Sequence, residues 1–212
     1  MTEPLGRIDK PEAEQFKEGR KLYLVPMVFY GEDAPRGYKE RCQRYWKQAA
    51  EQLANLEAKI GKVSRIYLES ISQSGEEGVE LAARLNPECH QIARSKCDDG
   101  AAFEAMEDRE LFEEAMDWER CLLLGFATMK VVSKVSEFYT EALRKRYDFM
   151  AKKITETLKD NEAGLLFITE RHRLQFPEGI EVFTISPPAL DEVHRWLRDE
   201  AGKKEEATRE EK

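Results

Sequence analysis

Glu69 and His172 are the residues of this chain whose types could form a reactive site, provided that the fold carries them to one place. Glu69 closes a strand-like run and His172 follows the apolar run Ala163 to Ile168. A carboxylate beside an imidazole can act as a general base, fix the imidazole tautomer or hold a divalent metal ion. The competing reading is structural, with His172 a loop residue and Glu69 the partner of a neighbouring Lys or Arg.

Two other clusters carry less. Glu107, Asp108, Glu110, Glu113, Glu114, Asp117 and Glu119 form the densest acidic stretch, and Glu107, Glu110, Glu114 and Asp117 recur at helical steps that predict one shared face. A carboxylate-bridged metal centre would also need Glu-x-x-His pairs from partner helices, and the chain has none. The acidic helix over 107–119 is therefore read as a solvated face, and as the surface that would meet a protein partner. Cys89-His90 with Cys97 fits no zinc spacing, whereas Cys42 and Cys121 stand at apolar helical positions and suit free thiols of a reducing compartment.

The elements that must position these residues are legible from periodicity. Ala163 to Ile168 is apolar without alternation, the pattern of a strand buried on both faces, and the polar residues Thr169 to His172 follow it at the edge where α/β sheets take ligands. Lys21 to Tyr30 reads as a first strand, with Pro26 pointing to an edge or a bulge. Tyr38, Cys42, Tyr45, Ala49, Leu53, Leu56 and Ile60 make a helical stripe stopped by Gly61. Val63 to Ile71 alternates as a strand, with Ile66 and Leu68 on one face and Tyr67 and Glu69 on the other. Glu77 to Leu85 is predicted helical, and His90 to Arg94 a further short strand. Ala101 to Leu158 is helical in period, with Gly125 the interruption; Ile180 to Ile185 alternates as a last strand, and Ser186-Pro187-Pro188 starts a closing helix. The fold class expected is α/β, a mixed or mostly parallel sheet of about four to five strands with a large helical insertion at 101–158.

This order of elements resembles the superfamily of TraB/PrgY pheromone-shutdown proteins, TIKI proteases, ChaN haem-binding proteins and erythromycin esterases. The residues that carry the resemblance are Glu69 at a strand end, Arg146 heading Tyr147-Asp148-Phe149-Met150-Ala151, and Ile168-Thr169-Glu170-Arg171-His172 after the late strand. The family's late strand ends Gly-x-x-His, and here Thr169 stands in the glycine's place. A second such motif belongs after the first strand, where Val28 to Asp33 has no histidine. The resemblance implies a site of Glu69, Arg146 and His172, lacking half of the histidines on which active members draw.

Composition sets the outer limits. The chain has 212 residues, 41% hydrophobic and 36% charged, with a net charge of −8, so an extended basic surface for nucleic acid is not expected. No apolar span reaches the roughly 20 residues needed to cross a bilayer, and the amino terminus lacks a secretory signature, which makes a cytoplasmic location the expectation. Residues 1–20 read as a mobile leader, 21–198 as one α/β domain, and 199–212 as a disordered charged tail. Two functions follow. One is a non-catalytic or degenerate hydrolase-like scaffold that binds a protein partner or a small ligand at the carboxyl ends of its strands. The other is a metal-assisted hydrolase with Glu69 and His172 as base or as ligands of a divalent ion and Arg146 on an anionic group.

Overall fold

The computed structural model describes residues 16–210. Its centre is a five-stranded sheet in the order β3-β2-β4-β1-β5, formed by β1 (Arg20–Pro26), β2 (Val63–Leu68), β3 (Ala102–Glu104), β4 (Ala163–Ile168) and β5 (Ile180–Thr184). Every pair of neighbours is parallel. The helices are α1 (Arg36–Ile60), α2 (Gly75–Leu85), α3 (Pro87–Asp98), α4 (Arg109–Leu123), α5 (Met129–Thr157) and α6 (Pro188–Glu210). The chain is thus an α/β protein with a wholly parallel sheet, and the helical insertion is the pair α4 and α5.

Alternation along the strands divides the core into two layers. Tyr23, Val25, Ile66, Leu68, Leu165 and Phe167 face one side, where they meet Tyr45, Trp46 and Leu53 of α1, Val79 of α2, Ala93 of α3 and Val193 of α6. Leu22, Leu24, Tyr67, Leu166 and Ile168 face the other and meet Met150 and Ile154 of α5 together with Met106 and Leu158. All six residues of β4 are buried, as a strand covered on both faces requires. Gly164 is placed there by packing: a Cβ at that position would stand 2.8 Å from Leu22 Cδ1 and 3.0 Å from Tyr67 Cε2.

Several local expectations are corrected. β1 is not an edge; it lies between β4 and β5, and Pro26 is its last residue. The backbone amides of Lys21 and Met27 donate to β4 and its lead-in, so the alternate position of Pro26 faces β5, whose pairing already ends at Leu24 with Thr184. A missing amide there forfeits no ladder bond. His90 to Arg94 is no strand but the middle of α3, because Asn86 caps a new helix by accepting from the amides of Glu88 and Cys89, with Pro87 at its first position. Ala102 to Glu104, expected helical, is the edge strand β3. The leader forecast for 1–20 falls outside the described residues up to 15; beyond them Phe16 packs edge to face on Phe183 at 5.3 Å and Arg20 opens β1. From Asp199 the segment expected to be disordered continues as α6 to Glu210, being rich in Ala, Glu, Lys and Arg and carrying a Lys203–Glu200 pair.

Candidate functional site

Parallel strands deliver their carboxyl ends to one rim, and β2 and β4 are neighbours. Glu69 and Thr169 therefore follow their strands side by side, and the Thr169 amide donates to Glu69 Oε2 at 2.8 Å. Next to Glu69, Ser70 adopts a left-handed backbone with φ 73°, rare for a residue with a Cβ. Its amide is held at 3.0 Å by Glu107 Oε1. Glu107 comes from the loop after β3, anchored by the amides of Met106 and Glu107 on the carbonyl of Ile71, both 3.1 Å.

Arg146 of α5 closes the cluster. Its Nε donates to both Glu107 oxygens at 3.1 and 3.0 Å, its Nη2 donates to Glu107 Oε1, and the same nitrogen reaches Glu69 Oε1 at 3.2 Å. All three residues are buried. Burial pulls the Arg146 guanidinium down, but the hydrogen bonds and charge of Glu107, then the charge of Glu69, more than offset it and hold the group above its ordinary value. The guanidinium lies 5.1 Å from the Phe112 ring centroid and 5.7 Å from that of Tyr147, which fixes its plane. The hydrogen bonds engage Nε and Nη2, and Arg146 also lines the adjoining space.

That space is a cavity of about 680 Å³ at the carboxyl rim. Glu69, Ser70, Arg146 and Thr169 make its polar floor, while Met27, Phe29, Phe112, Met116 and Leu143 supply apolar wall. Tyr139 and Tyr147 also line it. Burial, then the charge of Glu119, raises the phenol of Tyr139, and burial, then the charge of Glu69, raises that of Tyr147. Both remain protonated at neutral pH and can donate. Arg171 and Arg173 stand on the rim, exposed, and neither makes an ion pair among the described residues.

His172 is placed differently from Glu69 and Arg146. It follows β4 on the same rim, its amide donating to the Thr169 carbonyl at 3.2 Å, but its ring packs edge to face on Phe176 at 5.8 Å and it does not line the cavity. Its Nδ1 is enclosed without a hydrogen-bond partner, and burial depresses the imidazole, with the charge of Glu69 opposing. No hydrogen bond links His172 to Glu69, whose oxygens are committed to Arg146 and Thr169. Among the described residues no three His, Cys, Asp or Glu side chains gather as a metal site. The donor set thus does not fit the divalent ion that Glu69 and His172 were expected to hold.

The acidic stretch also divides. Glu107 is not on the helical face predicted for it: it precedes α4 and is buried against Arg146, while Asp108 is the N-cap, accepting from the Leu111 amide at 3.0 Å. Glu110, Glu113, Glu114 and Asp117 are exposed. Glu107, Tyr139, Tyr147, Arg171 and Arg173 were missed as site residues; the signal available for Glu107 was its place before an N-cap aspartate, where a helix start fixes the chain. The four cysteines are free thiols. No helix among the described residues is long and apolar enough to cross a membrane. Comparison with known proteins finds no matching family model, no matching curated protein and no matching solved structure.

Proposed function

We propose that this chain is a ligand-binding α/β scaffold that takes a small molecule with an anionic group on an apolar body into the cavity at the carboxyl rim of its sheet. The observation that carries this reading is the Arg146 guanidinium, oriented by two buried carboxylates and two aromatic rings at the lining of the cavity. Arg171 and Arg173 add charge at the mouth, and the walls are apolar. A preoriented guanidinium binds a carboxylate, sulfonate or phosphate with little further loss of freedom.

We keep the resemblance to the TraB and erythromycin esterase superfamily as part of this reading, supported by Glu69 following β2 and by Arg146 of α5 donating to it. A non-catalytic role is preferred within it, because the first of the two expected histidines is absent and His172 turns to Phe176. A metal-assisted hydrolase has less support, since both Glu69 oxygens already accept hydrogen bonds and His172 packs on Phe176 without a hydrogen bond to Glu69.

8-Anilinonaphthalene-1-sulfonate, an aromatic body with one sulfonate, is a suitable probe. Fluorescence titration should give one saturable site that Arg171→Ala with Arg173→Ala weakens by about tenfold, equivalent to the loss of roughly 1.4 kcal/mol of charged contact. Unchanged affinity in that double variant would overturn the proposal.

A further inference from the structure

We infer that α4 and α5 form the dimer interface of this protein, two copies of the hairpin joining into a four-helix bundle. The buried residues of α5 are Ala142, Arg146, Met150 and Ile154, and none occurs between Met129 and Glu141. Ala115 is the one buried residue of α4, and no residue of α4 belongs to either core layer. The hairpin therefore stands clear of the core, held together by contacts such as Trp118 stacked on Phe138 at 4.9 Å.

Its tip is apolar and uncovered. Leu123, Leu124 and Met129 are 82%, 79% and 78% exposed, and Val131 and Phe138 continue the exposed surface along α5. Contiguous apolar surface of this kind marks an interaction site in a folded protein.

Charge identifies the occupant. Over Arg109–Leu123, α4 carries five acidic and two basic residues, whereas residues 129–145 of α5, short of the buried Arg146, carry four basic and two acidic ones. A twofold axis running along the hairpin arranges four helices in a square, each α4 flanked by its own α5 and by that of the second copy. All neighbours are then antiparallel, as in a four-helix bundle. In this arrangement every acidic helix lies between two basic ones, and the apolar tips meet their counterparts. The same hairpin supplies Phe112, Met116, Tyr139 and Leu143 to the cavity, so the interface is continuous with the roof of the proposed ligand site.

Sedimentation equilibrium of the full chain tests this directly. A dimer of twice 24.6 kDa is expected at micromolar concentration. Leu123→Ser with Leu124→Ser and Met129→Ser should give the mass of one copy with an unchanged far-ultraviolet circular dichroism spectrum, because these exposed side chains support nothing within the protomer. Glu110→Lys with Glu114→Lys should weaken association by about tenfold, and adding Arg144→Glu with Lys145→Glu, level with them on α5, should recover it. A wild-type chain that sediments as one copy throughout overturns the inference, including one that then cosediments with phosphatidylcholine vesicles. A serine variant that associates as the wild type does also overturns it.

Discussion

Arg146 serves two carboxylates with one guanidinium, and the arithmetic of burial makes the arrangement consequential. Removing one partner of a buried ion pair leaves the other charge desolvated and unmatched, at a cost of about 3 to 5 kcal/mol. Arg146→Ala should therefore lower the free energy of urea unfolding by that amount, and Arg146→Lys should recover little of it, because an ammonium cannot reproduce the two-pronged contact with Glu107. A loss below about 1 kcal/mol would mean that the cluster is solvated like an ordinary surface pair. His172 acts with the opposite sign to a stabilised cation. Its folded pKa lies below the unfolded value of 6.5, so its contribution is fully present above that value and is lost as pH falls through the window beneath it. Unfolding followed from pH 7.5 to 5 should show this decline, and His172→Phe should flatten it; an equal decline in the variant would assign the effect to other groups.

At the scale of elements, Asn86 is the clearest single support. Its side-chain oxygen caps α3, and its Nδ2 donates to the carbonyl of Val28 at 3.0 Å, so one buried residue joins a helix start to the loop leaving β1. Asn86→Ala should cost about 1 to 3 kcal/mol in thermal or urea unfolding, the range for a cap lost together with a buried hydrogen bond. Gly164→Ala should cost about as much through overpacking against Leu22 and Tyr67, and a neutral result would show that β4 has room to move. The elements that the sequence made legible were those with a period long enough to count. The stripe of α1, the continuous apolar run of β4 and the alternation of β2 gave both their type and their buried face. β3 was not legible because three residues hold no period, and α3 was obscured because the Asn86-Pro87 boundary looks like an end when it is also a beginning. The site was readable as a rim and not as a set of contacts. Glu69 was found because parallel strands carry such strand ends to one rim, and Arg146 was reached only through the resemblance, whereas Glu107 was hidden among surface carboxylates and His172 gave no sign that its ring would turn to Phe176.

Over the whole molecule, the two faces of the sheet are unequally dressed. Four helices cover one side, while α5 covers the other and extends beyond it to carry α4. The cavity lies at the junction, with a rigid floor on the strand ends and a roof on the hairpin, the part of the fold with the least core of its own. A ligand seated there would tie the roof to the floor and should raise the midpoint of thermal unfolding by an amount that grows with the logarithm of ligand concentration above Kd. The most direct measurement is an arginine-selective nitrogen-15 spectrum of the full chain, recorded with and without 8-anilinonaphthalene-1-sulfonate. The side-chain resonances of Arg146, Arg171 and Arg173 are expected to shift together on one saturation curve, with those of Arg36 and Arg94 unmoved. A spectrum in which Arg146 stays in place while the probe binds would contradict the account.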